Sequence, residues 1–292
     1  MCLNNCYIKQ KNHIIVFNKK EELKNHLSTL SKNNTIGFIP TMGSLHEGHL
    51  SLINRSNSDC DISICSIFIN PTQFNDKADY LNYPKDTKND LNLLKQVECD
   101  IIYMPEITDI YTKNQTIKKY NLSGLDLFLE GKYRPDHFNG MVSVVEKLFQ
   151  IIEPDYAYFG EKDLQQLYII KELVKDKNIN TTIIGCPTIR ERNGLAKSSR
   201  NKLLSKDDLG YCSIIYQQLI LCKESFEDTP FTELKKNIEE KLTKEDRIKI
   251  EYLEFVDIKT FKPQQKFNIK TKYALCIAVN ISGVRLIDNI IL

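Results

Sequence analysis

Apolar runs of strand length alternate with amphipathic stretches along the first two-thirds of the chain. The apolar runs predict strands over residues 13–17, 35–39, 61–69, 100–104, 156–159 and 181–185. The stretches between them carry apolar residues at helical spacing and predict helices over residues 21–30, about 46–54, 86–97, 141–152 and about 160–175. Strands that alternate with helices are typical of a parallel sheet with right-handed crossovers.

The pattern changes beyond residue 201. Predicted helices over 206–225 and 229–242 precede strand-like runs at 249–256, 273–279 and 284–289. We therefore predict an α/β fold, in which residues 1–187 form a Rossmann-like parallel sheet with helices on both faces and residues 188–292 form a smaller C-terminal α+β domain. Residues 111–120 are predicted to be an exposed, lysine-rich excursion, and residues 129–140 a loop punctuated by Gly and Pro.

The stretch around the second predicted strand carries the first candidate chemistry. The strand is expected to break at Pro40, and a helix follows with His46 and His49 on its first turn. The free N–H groups and the positive dipole end of a helix start favour phosphate. Gly43 has no Cβ atom that would hinder the turn, and Gly48 would let a flat ligand approach the backbone. The pattern suits a nucleoside triphosphate.

Two other interpretations of the histidine pair remain open at this point. The side chains could bind a metal, but the zincin pattern needs histidines four residues apart with Glu between them, and no cysteine or third histidine stands nearby. They could also be surface residues of an ordinary turn, which is the commoner case for two histidines at this spacing.

A second segment repeats the arrangement of a strand end, a glycine and charged residues at a helix start. Gly160 ends the strand at 156–159, Lys162 could reach a phosphate, and Asp163 could accept hydrogen bonds from ribose hydroxyls. The alternative is a capped surface helix, because acidic residues favour first turns in any case.

Two further segments carry polar side chains where ligands are expected. Gln73 follows the strand at 61–69, at the edge where open α/β sheets bind ligands, although it could be an ordinary turn residue. Lys197, Ser198, Ser199 and Arg200 place hydroxyls beside two cations, and these groups donate to phosphate oxygens. Such a loop can also be merely solvated.

Composition narrows the class of partner. The chain has 292 residues, 41% of them hydrophobic, and 40 Lys+Arg against 38 Asp+Glu give a net charge of +2. This balance argues against a nucleic-acid surface or a polybasic membrane surface, and no apolar window is long enough to span a membrane. Nine cysteines at irregular positions and a polar leader over residues 1–11 predict reduced thiols and a cytoplasmic location.

Five motifs in order resemble those of the pantothenate synthetase (pantoate–β-alanine ligase) family, which belongs to the H-x-G-H nucleotidylyltransferase superfamily. They are P-T-M-G-S-L-H-E-G-H-L-S-L-I at 40–53, N-P-x-Q-F at 70–74, L-E-G-x-x-R-P-x-H-F-x-G at 129–140, G-L-A-x-S-S-R-N at 194–201 and R-L-I-D-N at 285–289. The fourth is also loosely similar to the K-M-S-K-S loop of class I aminoacyl-tRNA synthetases. The resemblance covers essentially the whole chain.

The resemblance implies ATP-dependent condensation of pantoate with β-alanine through a pantoyl adenylate, with AMP and pyrophosphate as products. The catalytic residues would be His49, His46, Lys162 and Arg200. The ATP site would comprise Met42, Gly43, Ser44, Leu45, His46, Glu47, Gly48, His49, Gly160, Glu161, Lys162, Asp163, Ile189 (through its backbone, to adenine), Lys197, Ser198, Ser199 and Arg200. Gln73 and Gln166 would bind pantoate, and Gln73 would also border the β-alanine site.

The resemblance further implies Mg²⁺ as a cofactor and a homodimer. Lys197 departs from the family pattern, which usually has methionine there. Asn89 stands in a place that is often acidic, which leaves Asp90 as the acidic residue near magnesium.

Other functions stay open. A cytidylyl- or adenylyltransferase for a small metabolite would share both histidines but does not account for residues 70–74 and Gln166. A non-catalytic nucleotide-binding protein does not account for the intact cations, Lys162 and Arg200. A tRNA synthetase would need a basic surface and an anticodon-binding region.

Overall fold

Six strands form a parallel sheet within residues 14–74, 80–111 and 118–292, which the computed structural model describes. The strands are β1 (Ile15–Phe17), β2 (Ile36–Thr41), β3 (Ile62–Ile67), β4 (Ile101–Tyr103), β5 (Tyr156–Gly160) and β6 (Thr182–Cys186). Their order across the sheet is β1-β4-β3-β2-β5-β6, and every neighbouring pair is parallel. The predicted Rossmann-like sheet is confirmed; His13 and the polar leader lie outside the described residues.

Helices cover both faces of this sheet. They are α1 (Lys20–Thr29), α2 (Glu47–Asp59), α3 (Thr87–Gln96), α4 (Ile107–Ile110), α5 (Glu130–Tyr133), α6 (His137–Ile152) and α7 (Leu164–Asp176). Successive residues of a strand point to opposite faces, so Phe38 joins the core beneath α1, α6 and α7 while Ile39 joins the core beneath α2 and α3. The sheet is thus buried on both faces, as its apolar strands predicted.

The strand order fixes where a ligand can enter. From β2 the chain builds β3 and β4 on one side, and it then crosses to build β5 and β6 on the other. Open α/β sheets bind ligands at such a reversal, outside the carboxyl ends of the strands. The residues that follow β2 and β5 therefore face the same crevice.

A second, antiparallel sheet lies within residues 118–292 and has the order β7-β8-β9. Its strands are β7 (Ile248–Asp257), β8 (Tyr273–Ile281) and β9 (Val284–Ile291), and the helices of this part are α8 (Lys206–Tyr211), α9 (Ser213–Ser225) and α10 (Phe231–Thr243). One face, with Cys276, joins the core of the parallel sheet, and the other, with Ile277, packs against α9 and α10. A domain boundary between 187 and 188 stays a prediction.

Several predicted boundaries were wrong for physical reasons. Strand β2 continues through Pro40 to Thr41, because its ladder with β3 extends that far while the register with β5 covers Gly37 and Phe38. Helix α2 runs on to Asp59 rather than ending near residue 54. The single helix predicted over 206–225 is two helices, α8 and α9, which meet at Cys212.

Of the two segments predicted to lack regular structure, the one at 129–140 is corrected. Residues 129–140 contain α5 and the start of α6, and Leu129, Glu130 and His137 are buried, so the segment is not a solvated loop. At 111–120, Lys118 and Lys119 are exposed as predicted, Tyr111 and Tyr120 are half-buried, and residues 112–117 lie outside the described part. No helix in the described ranges is both long and apolar enough to cross a membrane.

Candidate active site

A cavity opens at the carboxyl ends of β2 and β5 and is closed on its far side by β9 of the second sheet. The predicted site residues that line it are Met42, His46, Gly48, His49, Gln73, Gly160, Lys162, Asp163, Gln166, Ile189, Lys197, Ser198, Ser199 and Arg200. The fold therefore brings together side chains from four separate segments of the chain. Most of the predicted ATP and pantoate ligands share this one cavity.

The turn between β2 and α2 is held from beneath by Asp90. Gly43 has φ 78° and Ser44 has φ 51°, so the backbone turns through the left-handed region. The Asp90 carboxylate accepts hydrogen bonds from the backbone N–H of Ser44 at 2.9 Å and of Leu45 at 2.7 Å. Because Asp90 is 1% exposed, these bonds fix the turn from inside the protein.

The two histidines cap the start of α2 reciprocally. His46 Nδ1 accepts from the backbone N–H of Gly48 at 3.1 Å, and His49 Nδ1 accepts from that of His46 at 3.3 Å. An imidazole that accepts at Nδ1 carries its proton at Nε2 when neutral, so each ring keeps an Nε2–H donor. A Cβ atom on Gly48 would lie 2.8 Å from the His46 ring, so glycine makes room for that ring.

The environment keeps both rings neutral. Burial, the adjacent His49 and Lys162 lower the pKa of His46 to about 2. Burial lowers the pKa of His49 to about 4, although Asp163 acts in the opposite direction. At neutral pH both imidazoles are therefore uncharged hydrogen-bond donors, half-buried in the cavity wall rather than on a free surface turn. The ranges that the structure covers contain no group of three or more His, Cys, Asp or Glu side chains arranged to hold a metal ion.

Lys162 is positioned by the far end of the chain. It lies in a short 3₁₀ turn, Glu161–Asp163, between β5 and α7. The side-chain amide of Asn289, in β9, donates to the carbonyl oxygens of Glu161 at 3.0 Å and of Lys162 at 2.8 Å. The Lys162 side chain is 18% exposed and its amine lies 3.8 Å from the Asp163 carboxylate, so it remains open to the cavity.

The hydroxyl-rich segment, residues 197–200, also lines the cavity. Ser198 caps the 3₁₀ helix Ser199–Leu203 by accepting from the Arg200 N–H. Lys197 Nζ lies 3.0 Å from carboxylates of both Glu47 and Glu191. Lys197, which stands where the family usually has methionine, therefore joins the segment to the start of α2.

Arg190 ties the same segment to β9. Its guanidinium pairs with both carboxylate oxygens of Asp288, at 2.6 and 2.9 Å, and lies 3.6 Å from the centre of the Tyr216 ring. Asp288 precedes Asn289, so the strand that holds the Lys162 turn also holds the segment with Ile189. This geometry is a bidentate ion pair stacked on an aromatic ring.

Replacing Arg190 with methionine is expected to lower the free energy of unfolding by about 3 kcal/mol, because a buried carboxylate loses its charged partner while the aliphatic stem stays. The Asp288 side chain is only 4% exposed. The matched control is Lys236→Met, whose pairing with Glu240 at 3.9 Å lies at the surface and should leave stability unchanged. Chemical denaturation measures both; equal losses would contradict a structural role for the Arg190 pair.

Two amides and a set of apolar side chains also line the cavity. Gln73 ends the 3₁₀ turn Pro71–Gln73 after β3, and Gln166 lies in the first turn of α7. Apolar side chains complete the wall, among them Phe68, Phe138, Met141 and Val144. An amide carries both a donor and acceptors, so this part of the lining suits a small molecule with hydroxyl and carboxylate groups on an apolar body.

A few predicted ligands lie apart from the cavity. Ser44 and Leu45 point into the protein, and their N–H groups are taken by Asp90. Gly43, Ser44 and Asp90 line a second opening on the other side of the same turn. Glu47 is exposed, and its carboxylate pairs with Lys197. Glu161 contributes its carbonyl oxygen to Asn289.

Comparison with known proteins agrees with this geometry. The family model described as pantoate-beta-alanine ligase matches residues 15–291. The pantothenate synthetase of Caldicellulosiruptor saccharolyticus is 43% identical over 282 residues, which cover 95% of this chain and 99% of the relative. That of Flavobacterium psychrophilum is 41% identical over 279 residues, with the same shares of 95% and 99%.

Solved structures give the same result. The pantothenate synthetase of Thermus thermophilus superposes with a TM-score of 0.86 at 32% identity, over 95% of this chain and 99% of that one. The pantoate-beta-alanine ligase of Francisella tularensis, complexed with beta-gamma ATP and beta-alanine, superposes with a TM-score of 0.79 at 40% identity, over 96% and 98%. Because the family model and these relatives span nearly the whole chain, the chain belongs to the pantoate-beta-alanine ligase family.

Proposed function

We propose that this chain condenses pantoate with β-alanine, using ATP and releasing AMP and pyrophosphate through a pantoyl adenylate. The observation that carries the proposal is that one cavity is lined both by donors for phosphate and by two amides together with apolar side chains. A carboxylate activated by a nucleotide needs both kinds of surface side by side. Family membership supports the same activity.

Each group that could face phosphate supplies a different kind of donor. Neutral His46 and His49 present Nε2–H groups from a fixed helix start, and Lys162 adds a positive charge from the β5 edge. Ser198, Ser199 and Arg200 line the same cavity and add hydroxyls and a guanidinium. We propose that Met42, Gly48, Gly160, Asp163, Ile189 and Lys197 line the rest of the ATP site, with Asp163 on the ribose.

The chemistry that follows has two balanced steps. A carboxylate oxygen of pantoate attacks the α-phosphorus of ATP; the bond to the bridging oxygen breaks, and pyrophosphate leaves with its electron pair. The amine of β-alanine then attacks the acyl carbon, loses a proton, and displaces AMP. Negative charge accumulates on the transferring phosphate in the first step, so preorganised donors there lower the barrier.

Gln73 and Gln166 are proposed to orient pantoate, with Gln73 also bordering the place of β-alanine. We assign Gly43, Ser44, Leu45, Glu47 and Glu161 to shaping the ATP site, since the bonds described above already engage them. This assignment refines the sequence prediction, which made them direct ligands.

Mg²⁺ is expected to enter with ATP rather than to occupy a site built by the protein. Asp90, the predicted ligand, is buried, and its carboxylate oxygens accept the two backbone N–H groups of the turn. In nucleotide-binding enzymes, most ligands of Mg²⁺ are commonly substrate phosphates and water molecules. When bound it would neutralise phosphate charge, and the residues of this chain that act beside it are Lys162 and Arg200.

The test is an end-point assay with ATP, pantoate and β-alanine. The proposal predicts equal amounts of pantothenate, AMP and pyrophosphate. A nucleotidylyltransferase acting on another small metabolite would leave the nucleotide on its product, and that alternative is not favoured by the relatives, which are pantothenate synthetases. Formation of ADP and phosphate would contradict the proposed route.

Replacing Gln73 or Gln166 with alanine is expected to raise the Kd for pantoate on the order of tenfold while changing ATP binding little, because each variant loses amide contacts to one substrate. Calorimetric titration with ATP and with pantoate separately is the measurement. Gln217→Ala, at an exposed position of α9, is the control. Loss of ATP binding with retained pantoate binding would contradict our assignment of the two amides to pantoate.

We also propose a cytoplasmic homodimer. The thiols in the described part of the chain are all free, which supports a reducing compartment: Cys60, Cys65, Cys99, Cys186, Cys212, Cys222 and Cys276. The homodimer rests on the family resemblance.

A further inference from the structure

The cavity wall contains a buried histidine that the proposed reaction does not use. His137, the first residue of α6, is 8% exposed and lies 64 residues from Gln73 in the chain. Its Nδ1 is 2.7 Å from the backbone carbonyl oxygen of Gln73. A carbonyl oxygen can only accept, so Nδ1 must carry the proton.

The opposite side of the ring selects the same tautomer. His137 Nε2 faces Nη1 of Arg134 at 3.4 Å, and a guanidinium can only donate. A neutral imidazole with its proton on Nδ1 satisfies both neighbours, whereas the other tautomer or the imidazolium would set two donors against each other. Burial and the charge of Arg134 lower the pKa of His137 to about 4, in agreement with this state.

Arg134 pairs with Glu130, which in turn pairs with an arginine of the second sheet. Its Nη1 lies 4.0 Å from Glu130, whose carboxylate accepts from Arg285 at 2.7 and 2.8 Å and from the hydroxyl of Tyr252 at 2.7 Å. Arg285 lies in β9 and Tyr252 in β7. The second sheet therefore holds Glu130, and Glu130 holds the arginine that faces His137 Nε2.

The turn that carries Gln73 is held to α6 at a second point. Asn70 donates to the carbonyl oxygen of Gly140 at 3.0 Å, one helical turn beyond His137. The Asn70 side-chain oxygen in turn accepts from the backbone and hydroxyl of Thr72. With one bond at each end of the turn, the direction of the Gln73 side chain depends on the donor at His137.

We propose that His137 is a positioning residue for the pantoate site: its Nδ1–H holds the Gln73 carbonyl and thereby aims the Gln73 amide into the cavity. The inference rests on the proposed binding of pantoate by Gln73. It predicts that the donor at the Nδ1 position, rather than the ring or its charge, matters for pantoate.

Three substitutions separate these possibilities. His137→Asn keeps an N–H donor near the position of Nδ1, His137→Gln moves the donor outward to the position of Nε2, and His137→Leu has no donor. His137→Leu and His137→Gln should raise the KM for pantoate on the order of tenfold, with the KM for ATP changed by less than about twofold. His137→Asn should stay within about threefold of the wild type for both substrates. His26→Leu, at a half-buried position against Phe17 that does not line the cavity, is the control.

Steady-state assays that vary pantoate and ATP in turn give the result, with thermal melting to confirm folding. If His137→Leu does not fold, the comparison of the Asn and Gln variants carries the test. Equal pantoate KM values for those two variants, or equal increases for both substrates, would overturn the inference. Failure of the wild type to make pantothenate would instead refute the proposed function, so the two failures are distinguishable.

Discussion

Replacing His46 with asparagine is expected to leave the protein folded and to lower turnover on the order of a hundredfold or more. The side-chain oxygen of asparagine is a good N-cap acceptor, so it can replace Nδ1 of His46, which accepts from Gly48 N–H at 3.1 Å. It cannot replace the Nε2–H that faces the cavity. The substitution therefore separates the role of His46 as helix cap from its proposed role as donor. The melting temperature measures the first role, and kcat measures the second.

His49→Ala should lose turnover to a similar extent, because it removes the second preorganised donor. This variant also removes the acceptor of the His46 N–H, so a stability loss of about 1 kcal/mol is expected beside it. His26→Ala, away from the cavity, should keep full activity. Near-normal turnover in folded His46→Asn and His49→Ala would show that the pair serves only the turn.

Lys162→Ala is expected to slow formation of the adenylate by at least about a hundredfold while the protein melts normally. Asn289 of β9 holds the backbone of the turn that carries this amine, and loss of the amine leaves the charge of the transferring phosphate less well offset. Lys171→Ala, on α7 with its amine over the Tyr168 ring, is the control. Rapid-quench detection of pantoyl adenylate in a single turnover measures this step. An unchanged rate would show that Lys162 does not act on the transferring phosphate.

The sequence alone predicted the parts of the site that are contiguous. His46 and His49 follow a strand and start a helix, so local spacing was enough to indicate a phosphate site. Lys162 follows the same logic at β5. Parallel strands also predicted correctly that both segments meet at one edge of the sheet, because their carboxyl ends lie side by side.

The supports of the site could not be predicted in this way, because they join residues far apart in the chain. Glu130 and Arg285 are separated by 155 residues, and Asn289 and Glu161 by 128. No hydrophobic periodicity links residues so far apart. The resemblance of residues 129–140 and 285–289 to family motifs was the only sign in the sequence that these residues matter. The family resemblance assigns Asp90 to magnesium because the neighbouring Asn89 is not acidic, whereas the bonds of Asp90 to a turn 45 residues away depend on the tertiary fold.

Isotope exchange between pyrophosphate and ATP tests the central claim most directly. The account predicts that the protein with Mg²⁺, ATP, pantoate and labelled pyrophosphate, without β-alanine, returns label to ATP, since adenylate formation is reversible before the amine arrives. Omitting pantoate should abolish the exchange, and adding β-alanine should convert the adenylate to pantothenate and AMP. No pantoate-dependent exchange, under conditions where the complete reaction runs, would contradict attack at the α-phosphorus.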